Sequence, residues 1–166
     1  MNSDLGTDHR RVTGDQLRLL MRRQAATVTV ITTLAGDRPA GFTATSFTSV
    51  SLRPPLVSFC VCRGSSSWPA VRAAAHVAVH LLAGDQAELA RTFAAKGTDR
   101  FAGPVRWRPG PYGMPLIDRT LAWMVCRVSE RVTAGDHAIV LAEPVTAEYT
   151  DGRPLLYHDG RYVRLA

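Results

Sequence analysis

Two histidines in one short apolar segment have a spacing that suggests metal chemistry. His76 and His80 lie four residues apart in the segment HVAVH, which is the spacing of zinc ligands on a helix. The intervening residues are valine and alanine, and such a segment favours a strand. Four strand residues span about 13 Å, which is too far for one metal ion. The sequence therefore predicts a strand here and no metal site.

Two of the three cysteines also have a suggestive spacing. Cys60 and Cys62 would project to the same face of a strand, so both thiols could touch one ligand. Together with Cys126 they are too few for a structural zinc site, and we interpret them as core or pocket-lining residues. An odd number of cysteines, with no signal-peptide pattern in the polar residues 1–11, favours a cytoplasmic protein.

The common catalytic motifs are missing from this sequence. There is no GxGxxG after a strand and no GxxxxGK[ST], and Lys96 is the only lysine. Gly64-Ser65-Ser66-Ser67 lacks the second glycine of GxSxG, so a hydrolase serine is not indicated. A chain without an acid–base pair favours an enzyme whose cofactor carries the chemistry.

The elements that must position these residues are mostly strands. Hydrophobic periodicity and turn residues predict a helix over 14–24, a helix from Ser67 to Ala75 capped by Ser67, and a helix over 86–95 begun by a capping box of Asp85 and Glu88. The predicted strands cover 28–33, 41–51 as a strand pair, 56–62, 76–82, 121–132, 137–149, 155–158 and 161–165. Residues 101–115 are expected to form a surface loop with one strand near 105–108. Many strands with few helices predict an antiparallel, closed or nearly closed barrel.

Size and charge narrow the class of protein. With 166 residues, 46% hydrophobic and 20% charged, we expect one domain at 14–166 behind a flexible leader at 1–13, and no membrane span. The net charge of +6 suggests an acidic partner such as a phosphorylated ligand. Since no nucleic-acid-binding motif accompanies this charge, we do not expect nucleic acid binding.

Four motifs in order resemble one family. They are GFTATSFTSVSLRPPLVSFCVCRGSSSW from Gly41, FAAKGTDRFAG from Phe93, AGDHAIVLAEP from Ala134 and PLLYHDGRYVRL from Pro154. Together they resemble the short-chain NAD(P)H:flavin oxidoreductases, the reductase components of two-component monooxygenases. The resemblance covers the chain from about Gln16 onward. It implies a mainly β FMN-binding split barrel, Greek-key-like, with a few peripheral helices, that forms a homodimer.

The resemblance also implies a phosphate site for the flavin. Gly64-Ser65-Ser66-Ser67 at a helix start supplies backbone N–H groups and hydroxyls, which a phosphate dianion requires. Arg63, Arg91, Lys96 and Arg100 are available cations. By likeness to the family, Ser66 and Ser67 are expected to contact the phosphate, followed by Arg91 and Lys96.

The flavin ring needs a flat wall that the backbone can approach closely. Small residues in the first motif fit that need, and the family's matching segments line the flavin. The ring-binding residues implied are Gly41, Phe42, Thr43, Ala44, Thr45, Ser46, Cys60, Val61, Cys62 and Phe93.

Gly135-Asp136-His137 resembles the family's GDH signature, whose histidine lies near the nicotinamide site. We therefore expect His137 to contact NADH or NADPH, with Tyr157 as a second residue of that pocket. The implied reaction is hydride transfer from NAD(P)H to FMN or FAD. Positioning rather than a catalytic acid or base carries that reaction, and a separate monooxygenase receives the reduced flavin.

Two alternatives use the same type of barrel. One is a flavin-binding or flavin-carrying protein without its own reductase turnover. The other is an enzyme similar to pyridoxamine-phosphate oxidase. The fold alone does not separate these functions.

Overall fold

The computed structural model describes residues 11–165. Of the expected leader, only residues 11–13 fall within this range. The helices are α1 (Gly14–Met21), α2 (Trp68–Ala73) and α3 (Ala87–Ala94). The strands are β1 (Ala26–Thr27), β2 (Thr29–Ala35), β3 (Arg38–Ala44), β4 (Thr48–Leu52), β5 (Pro55–Cys62), β6 (His76–Leu81), β7 (Trp107–Pro109), β8 (Pro115–Ile117), β9 (Ala122–Ala134), β10 (His137–Tyr149), β11 (Leu155–His158) and β12 (Arg161–Arg164).

Most strands join one seven-stranded sheet in the order β3-β2-β6-β9-β10-β5-β4, in which all neighbours are antiparallel. The edge strands β3 and β4 are consecutive in the chain yet are not hydrogen-bonded to each other. Phe42 of β3 packs against Phe59 of β5, with ring centroids 6.1 Å apart, so the sheet curls round on itself. The predicted mainly antiparallel split barrel is confirmed, with its seam between β3 and β4.

The strand β5 shows how the sequence fills the barrel. Val57, Phe59 and Val61 are buried, whereas the alternate residues Cys60 and Cys62 are only partly covered. Successive side chains on a strand point to opposite faces, so β5 has one core face and one open face. The core around it also includes Ile31, Val77, Val79, Cys126 and Val140.

Two hairpins fix the register of the later strands. β9 and β10, each of 13 residues, are joined by Gly135 and Asp136. Gly135 has φ +60°, as the first position of a type II′ turn requires. Asp159 (φ +49°) and Gly160 (φ +77°) connect β11 to β12, the Asp-Gly pattern of a type I′ turn. The predicted bounds of β10 and β11 are confirmed.

The helix α1 is shorter than predicted, ending at Met21 instead of Gln24. A capping box starts it: Gln16 N–H donates to Thr13 Oγ1, and Thr13 N–H donates to Gln16 Oε1. None of its residues is buried. The apolar residues that predicted the helix therefore do not pack onto this chain.

Two predicted helix caps are wrong. Ser67 stands at the start of α2, but its hydroxyl makes no cap hydrogen bond and donates instead to the carbonyl of Gly41. Asp85 and Glu88 form no capping box, because α3 begins at Ala87 and Asp85 pairs with Arg119 at 2.9 Å. In both cases the side chain bonds to a residue distant in sequence instead of to the backbone at the start of the helix.

The predicted strand at HVAVH is confirmed as β6, and His80 is fully buried within it. Its Nδ1 is 3.0 Å from the carbonyl oxygen of Val30, and its Nε2 accepts from Ile117 N–H at 3.1 Å. Burial lowers the pKa of His80 to about 4. His80 is therefore a neutral structural residue that joins three strands.

The segment 101–115 is more ordered than a surface loop. Its predicted strand appears as β7 at 107–109, and β7 pairs with the unpredicted strand β8. Between residues 11 and 165, no helix has the length and apolar character needed to cross a membrane.

Candidate functional site

A cleft of about 550 Å³ lies along the seam of the barrel. The end of β3 and the residues that follow it form one wall, and the open face of β5 forms another. The loop before α2 and the end of α3 close the cleft. Its lining residues are Phe42, Thr43, Ala44, Thr45, Ser46, Cys60, Val61, Cys62, Gly64, Ser65, Ser66, Phe93, Ala94, Lys96, Gly97, Arg100 and His137.

The structure brings most of the expected ring-binding residues to these walls. Two of the hydroxyls there are already used within the protein: Thr43 donates to the carbonyl of Ala90 at 2.6 Å, and Ser46 accepts from the N–H of Cys60 at 2.8 Å. The first bond ties α3 to β3, and the second ties β5 to the segment that follows β3. Thr45 is exposed, and its hydroxyl remains available to a ligand.

Gly41 lies behind the wall instead of on it. A Cβ at this position would stand 2.7 Å from the carbonyl oxygen of Ile31 and 3.0 Å from the ring of Phe93. Phe93 is almost fully buried, so the glycine is needed for α3 to pack on β3. The sequence indicates a close approach here, but the approaching group is a phenylalanine of the same chain.

The other end of the cleft is suited to an anion. Ser65 and Ser66 line it together with Lys96 and Arg100. None of the lining residues is a carboxylate. The hydroxyl oxygen of Ser65 is buried and has no hydrogen-bond partner within the described part of the chain. A buried hydroxyl without a partner costs free energy, and an acceptor bound at this end would remove that cost.

The sequence indicated Arg100 only as an available cation, whereas the structure places it among the residues that line the cleft. Its Nη1 donates to the carbonyl of Gly41 and to Ser67 Oγ, each at 2.6 Å, and its Nε and Nη2 donate to the carbonyl of Ala95. It makes no ion pair with a described carboxylate. Partial burial lowers the pKa of its guanidinium. The sequence pattern that could have indicated this role is the motif FAAKGTDRFAG, in which Arg100 follows Lys96 by four residues.

Besides Gly41, three of the expected contacts lie outside the cleft. Ser67 is buried and bonded to Arg100. Arg91 pairs with Glu88 and lies over the ring of Tyr162, 5.3 Å from its centroid. Tyr157 lines a neighbouring depression of about 810 Å³, which shares Thr45 and Ser46 with the cleft.

His137 opens β10 at the rim of the cleft, directly opposite Cys62 on β5. Its Nδ1 lies 2.7 Å from Oδ1 of Asp136. This hydrogen bond lowers the pKa of the Asp136 carboxyl, so the carboxylate accepts and Nδ1 carries the proton. The imidazole therefore keeps its Nε2 free for a ligand.

These residues fit a flavin. An apolar and backbone wall suits its ring system, and a carboxylate-free end with serines, a lysine and an arginine suits its phosphate.

Comparisons with known proteins give the same indication. The family model described as "Flavin reductase like domain" matches residues 21–166. An NADH:FMN oxidoreductase of Rhodococcus erythropolis is 45% identical over 152 residues, which cover 89% of this chain and 79% of that protein. The reductase subunit HsaB of a flavin-dependent monooxygenase from Mycobacterium tuberculosis is 38% identical over 138 residues, covering 81% and 73%.

A similar solved structure is that of the NADH:FAD oxidoreductase SgcE6 of Streptomyces globisporus C-1027 in complex with NAD and FAD fragments. It superposes with a TM-score of 0.87 at 36% identity and covers 95% of this chain and 97% of that one.

Proposed function

Because this chain belongs to the flavin reductase-like family, we propose that it is an NAD(P)H:flavin oxidoreductase that passes reduced flavin to a separate monooxygenase. The observation that carries the proposal is the cleft at the barrel seam. It combines a wall for a flat ring with an anion-binding end, and no carboxylate is among its lining residues.

Specific residues are proposed to hold the flavin. Ser65 and Ser66 donate hydrogen bonds to its phosphate, while Lys96 and Arg100 supply positive charge. The ring lies against the β3 wall from Phe42 to Ser46 and against the open face of β5 from Cys60 to Cys62. When bound, the flavin supplies the hydride acceptor, and the protein supplies position and the exclusion of water.

His137 is proposed to orient the nicotinamide dinucleotide at the rim. Because Asp136 holds the proton on Nδ1, the neutral Nε2 accepts a hydrogen bond, and the protonated ring would pair with a phosphate. No residue of the cleft has to remove a proton from carbon. Catalysis by this chain is then a matter of geometry.

The electron donor is proposed to be NADH. The Rhodococcus relative is named an NADH:FMN oxidoreductase, and a relative from Agrobacterium fabrum is named an FMN reductase (NADH).

A homodimer is also proposed, on the evidence of exposed apolar side chains. Leu17, Leu19 and Leu20 of α1 are between 53% and 61% exposed, and Leu52 at the end of the edge strand β4 is 82% exposed. Large apolar side chains gathered on an unpacked helix mark an interaction surface. We expect a second copy of this chain to cover α1.

We further propose a cytoplasmic location and a single domain at 14–166. The location is supported by the unpaired state of Cys60, Cys62 and Cys126, since free thiols persist in a reducing compartment.

Steady-state oxidation of NADH and NADPH, with FMN, FAD and riboflavin added in turn, tests the function. We expect NADH oxidation that depends on added flavin. Tightly retained flavin without turnover would favour the carrier instead, and oxidation of pyridoxamine phosphate would favour the oxidase. Either outcome would overturn the reductase proposal.

A further inference from the structure

A second depression adjoins the proposed flavin cleft at the wall for the flavin ring. This neighbouring depression measures about 810 Å³ and shares Thr45 and Ser46 with the cleft. None of the residues at the end proposed to hold the phosphate is among its lining residues. A ligand that lies over the ring can therefore continue into the depression, whereas a group attached to the flavin phosphate begins at the other end of the cleft.

Backbone hydrogen bonds hold the walls of the neighbouring depression together. The walls are α1 and the residues after it, β1, the segment that follows β3, and the end of β11. The N–H of Asp159, in the turn after β11, donates to the carbonyl of Arg22 at 3.0 Å, and Ala26 of β1 is paired with Tyr157 of β11. The two sides of the depression are therefore fixed relative to each other.

The side chains that line the depression combine positive charge with apolar surface. Arg18 and Arg22 supply two guanidinium groups, and a guanidinium binds phosphate oxygens with two parallel hydrogen bonds. Arg22 makes no ion pair with a carboxylate of residues 11–165. Met21, Phe47 and Tyr157 supply apolar surface, against which a flat heterocyclic base can pack.

The depression is also lined by one carboxylate, that of Asp159. A carboxylate repels a phosphate but accepts hydrogen bonds from the hydroxyls of a ribose, as in other dinucleotide sites. A second carboxylate, Asp15, pairs with Arg18 at 3.0 Å in a solvent-exposed ion pair, and such a pair is weak enough for a phosphate to replace it. The depression therefore offers partners to the base, the ribose and the phosphates of an adenosine nucleotide.

The helix α1 presents different faces to this depression and to the proposed dimer contact. Arg18, Met21 and Arg22 are three and four residues apart, so they share one face, and all three line the depression. Leu19 and Leu20 line a different hollow on the surface, together with Arg23. A second copy of the chain that covers these leucines does not have to cover the two arginines of the depression.

We propose that the neighbouring depression binds the adenylate half of the dinucleotide donor, with Arg18 and Arg22 at its phosphates and the base against Phe47 and Tyr157. The inference rests on the proposed function, because it takes the nicotinamide half to lie over the flavin ring. The adenylate of FAD has the same chemistry, but it is attached through the flavin phosphate at the other end of the cleft. The position of the depression beside the ring wall therefore favours the donor.

The first test measures binding of ADP-ribose, which has the adenylate but no nicotinamide, by calorimetric titration with FMN at saturation. We expect Arg22→Gln to weaken ADP-ribose binding about fivefold, because an exposed charge-assisted interaction is lost, and Arg18→Gln/Arg22→Gln to weaken it further. The matched control Arg23→Gln removes the same charge from the next residue, outside the depression, and should leave binding unchanged. Absence of ADP-ribose binding by the wild type, or equal weakening by Arg22→Gln and Arg23→Gln, would overturn the proposal.

The second test separates the two sources of an adenylate. In Arg22→Gln the KM for NADH should rise by a similar factor with kcat unchanged, whereas oxidation of reduced nicotinamide mononucleotide, which lacks the adenylate, should not change. Weaker binding of FAD but not of FMN, with an unchanged KM for NADH, would assign the depression to the flavin and contradict the proposal. ADP-ribose binding requires no turnover, so a failure of the reductase function would be seen separately, as absent NADH oxidation with Arg22-dependent binding intact.

Discussion

Arg100 shows how one side chain can join the fold to the site. Its guanidinium holds the carbonyls of Gly41 on β3 and Ala95 after α3, together with the hydroxyl of Ser67 before α2. It also faces the cleft without a described carboxylate partner. One side chain therefore holds three cleft-forming segments together, and its charge is proposed to attract the ligand.

We expect Arg100→Gln to weaken binding of FMN about tenfold, because a charge-assisted interaction with the phosphate is lost. Binding of riboflavin, which has no phosphate, should change much less. Fluorescence titration of both flavins measures the ratio. Arg100→Lys should restore part of the FMN affinity, because it restores the charge.

Arg91→Gln is the matched control, since Arg91 is a helix arginine outside the cleft. It should leave both affinities unchanged. If Arg100→Gln weakens FMN and riboflavin equally, the arginine acts only on the fold and not on the phosphate.

His80 makes stability depend on pH. Its pKa is lowered to about 4 in the folded protein, against 6.5 as the reference value, so between these values the unfolded chain binds more protons. The contribution of His80 to the free energy of unfolding is therefore fully present above about pH 6.5. It is lost as the pH falls towards 4, by roughly 3 kcal/mol in total.

Urea unfolding at several pH values between 4 and 7 measures this effect. In His80→Gln the contribution should disappear, leaving a flatter profile on a less stable protein. An unchanged slope in His80→Gln would show that other groups cause the acid sensitivity.

At the scale of elements, the close packing of α3 on β3 shapes the wall of the cleft. Gly41→Ala puts a methyl group 2.7 Å from the backbone oxygen of Ile31. Because a backbone atom does not yield easily, we expect a loss of about 1–3 kcal/mol in unfolding free energy and weaker flavin binding.

Thermal unfolding checks this expectation. Gly103→Ala is the control, since a Cβ there meets nothing within 4 Å. Similar melting temperatures for Gly41→Ala and Gly103→Ala would contradict the packing role of Gly41.

Elements were predictable where one residue pattern decides the structure. A short apolar run predicted β5, and the strands of the two later hairpins were predicted almost to the residue. The caps at Ser67 and Asp85 were not predictable, because their hydroxyl and carboxylate bind partners 26 and 34 residues away in sequence. The strand β8 and its pairing with β7 were not predicted, because they follow a segment rich in glycine and proline.

The arrangement of the site could also be predicted from the sequence only in part. The motifs brought the ring wall, Ser66, Lys96 and His137 into one cleft. They did not reveal that Arg91 turns towards Glu88 and Tyr162, or that Arg100 turns inward. The direction of a long side chain depends on tertiary contacts that a local pattern does not contain.

At the scale of the whole molecule, α1 is an unpacked apolar surface. The double variant Leu19→Glu/Leu20→Glu should convert the proposed dimer to a monomer, because a carboxylate in an apolar interface is costly to desolvate. Light scattering after size exclusion gives the mass. The exposed Val145 on β10 supplies the control Val145→Glu, which should remain dimeric. A monomeric wild type would contradict the proposed dimer.

At this scale, the positive charge divides between the cleft and the rest of the surface. Of the net charge of +6, the part proposed to meet the ligand is Lys96 and Arg100, which line a cleft without lining carboxylates. The remaining arginines are spread along the chain, and several of them pair with acidic neighbours on the surface.

The barrel seam is proposed to catalyse the turnover of free flavin. Anaerobic mixing of the protein with NADH and an excess of FMN tests it most directly, with the absorbance of oxidised flavin as the readout. We expect bleaching of many equivalents of FMN per protein, and slower bleaching by Arg100→Gln at limiting FMN. Bleaching of no flavin, or of one bound equivalent only, would contradict it.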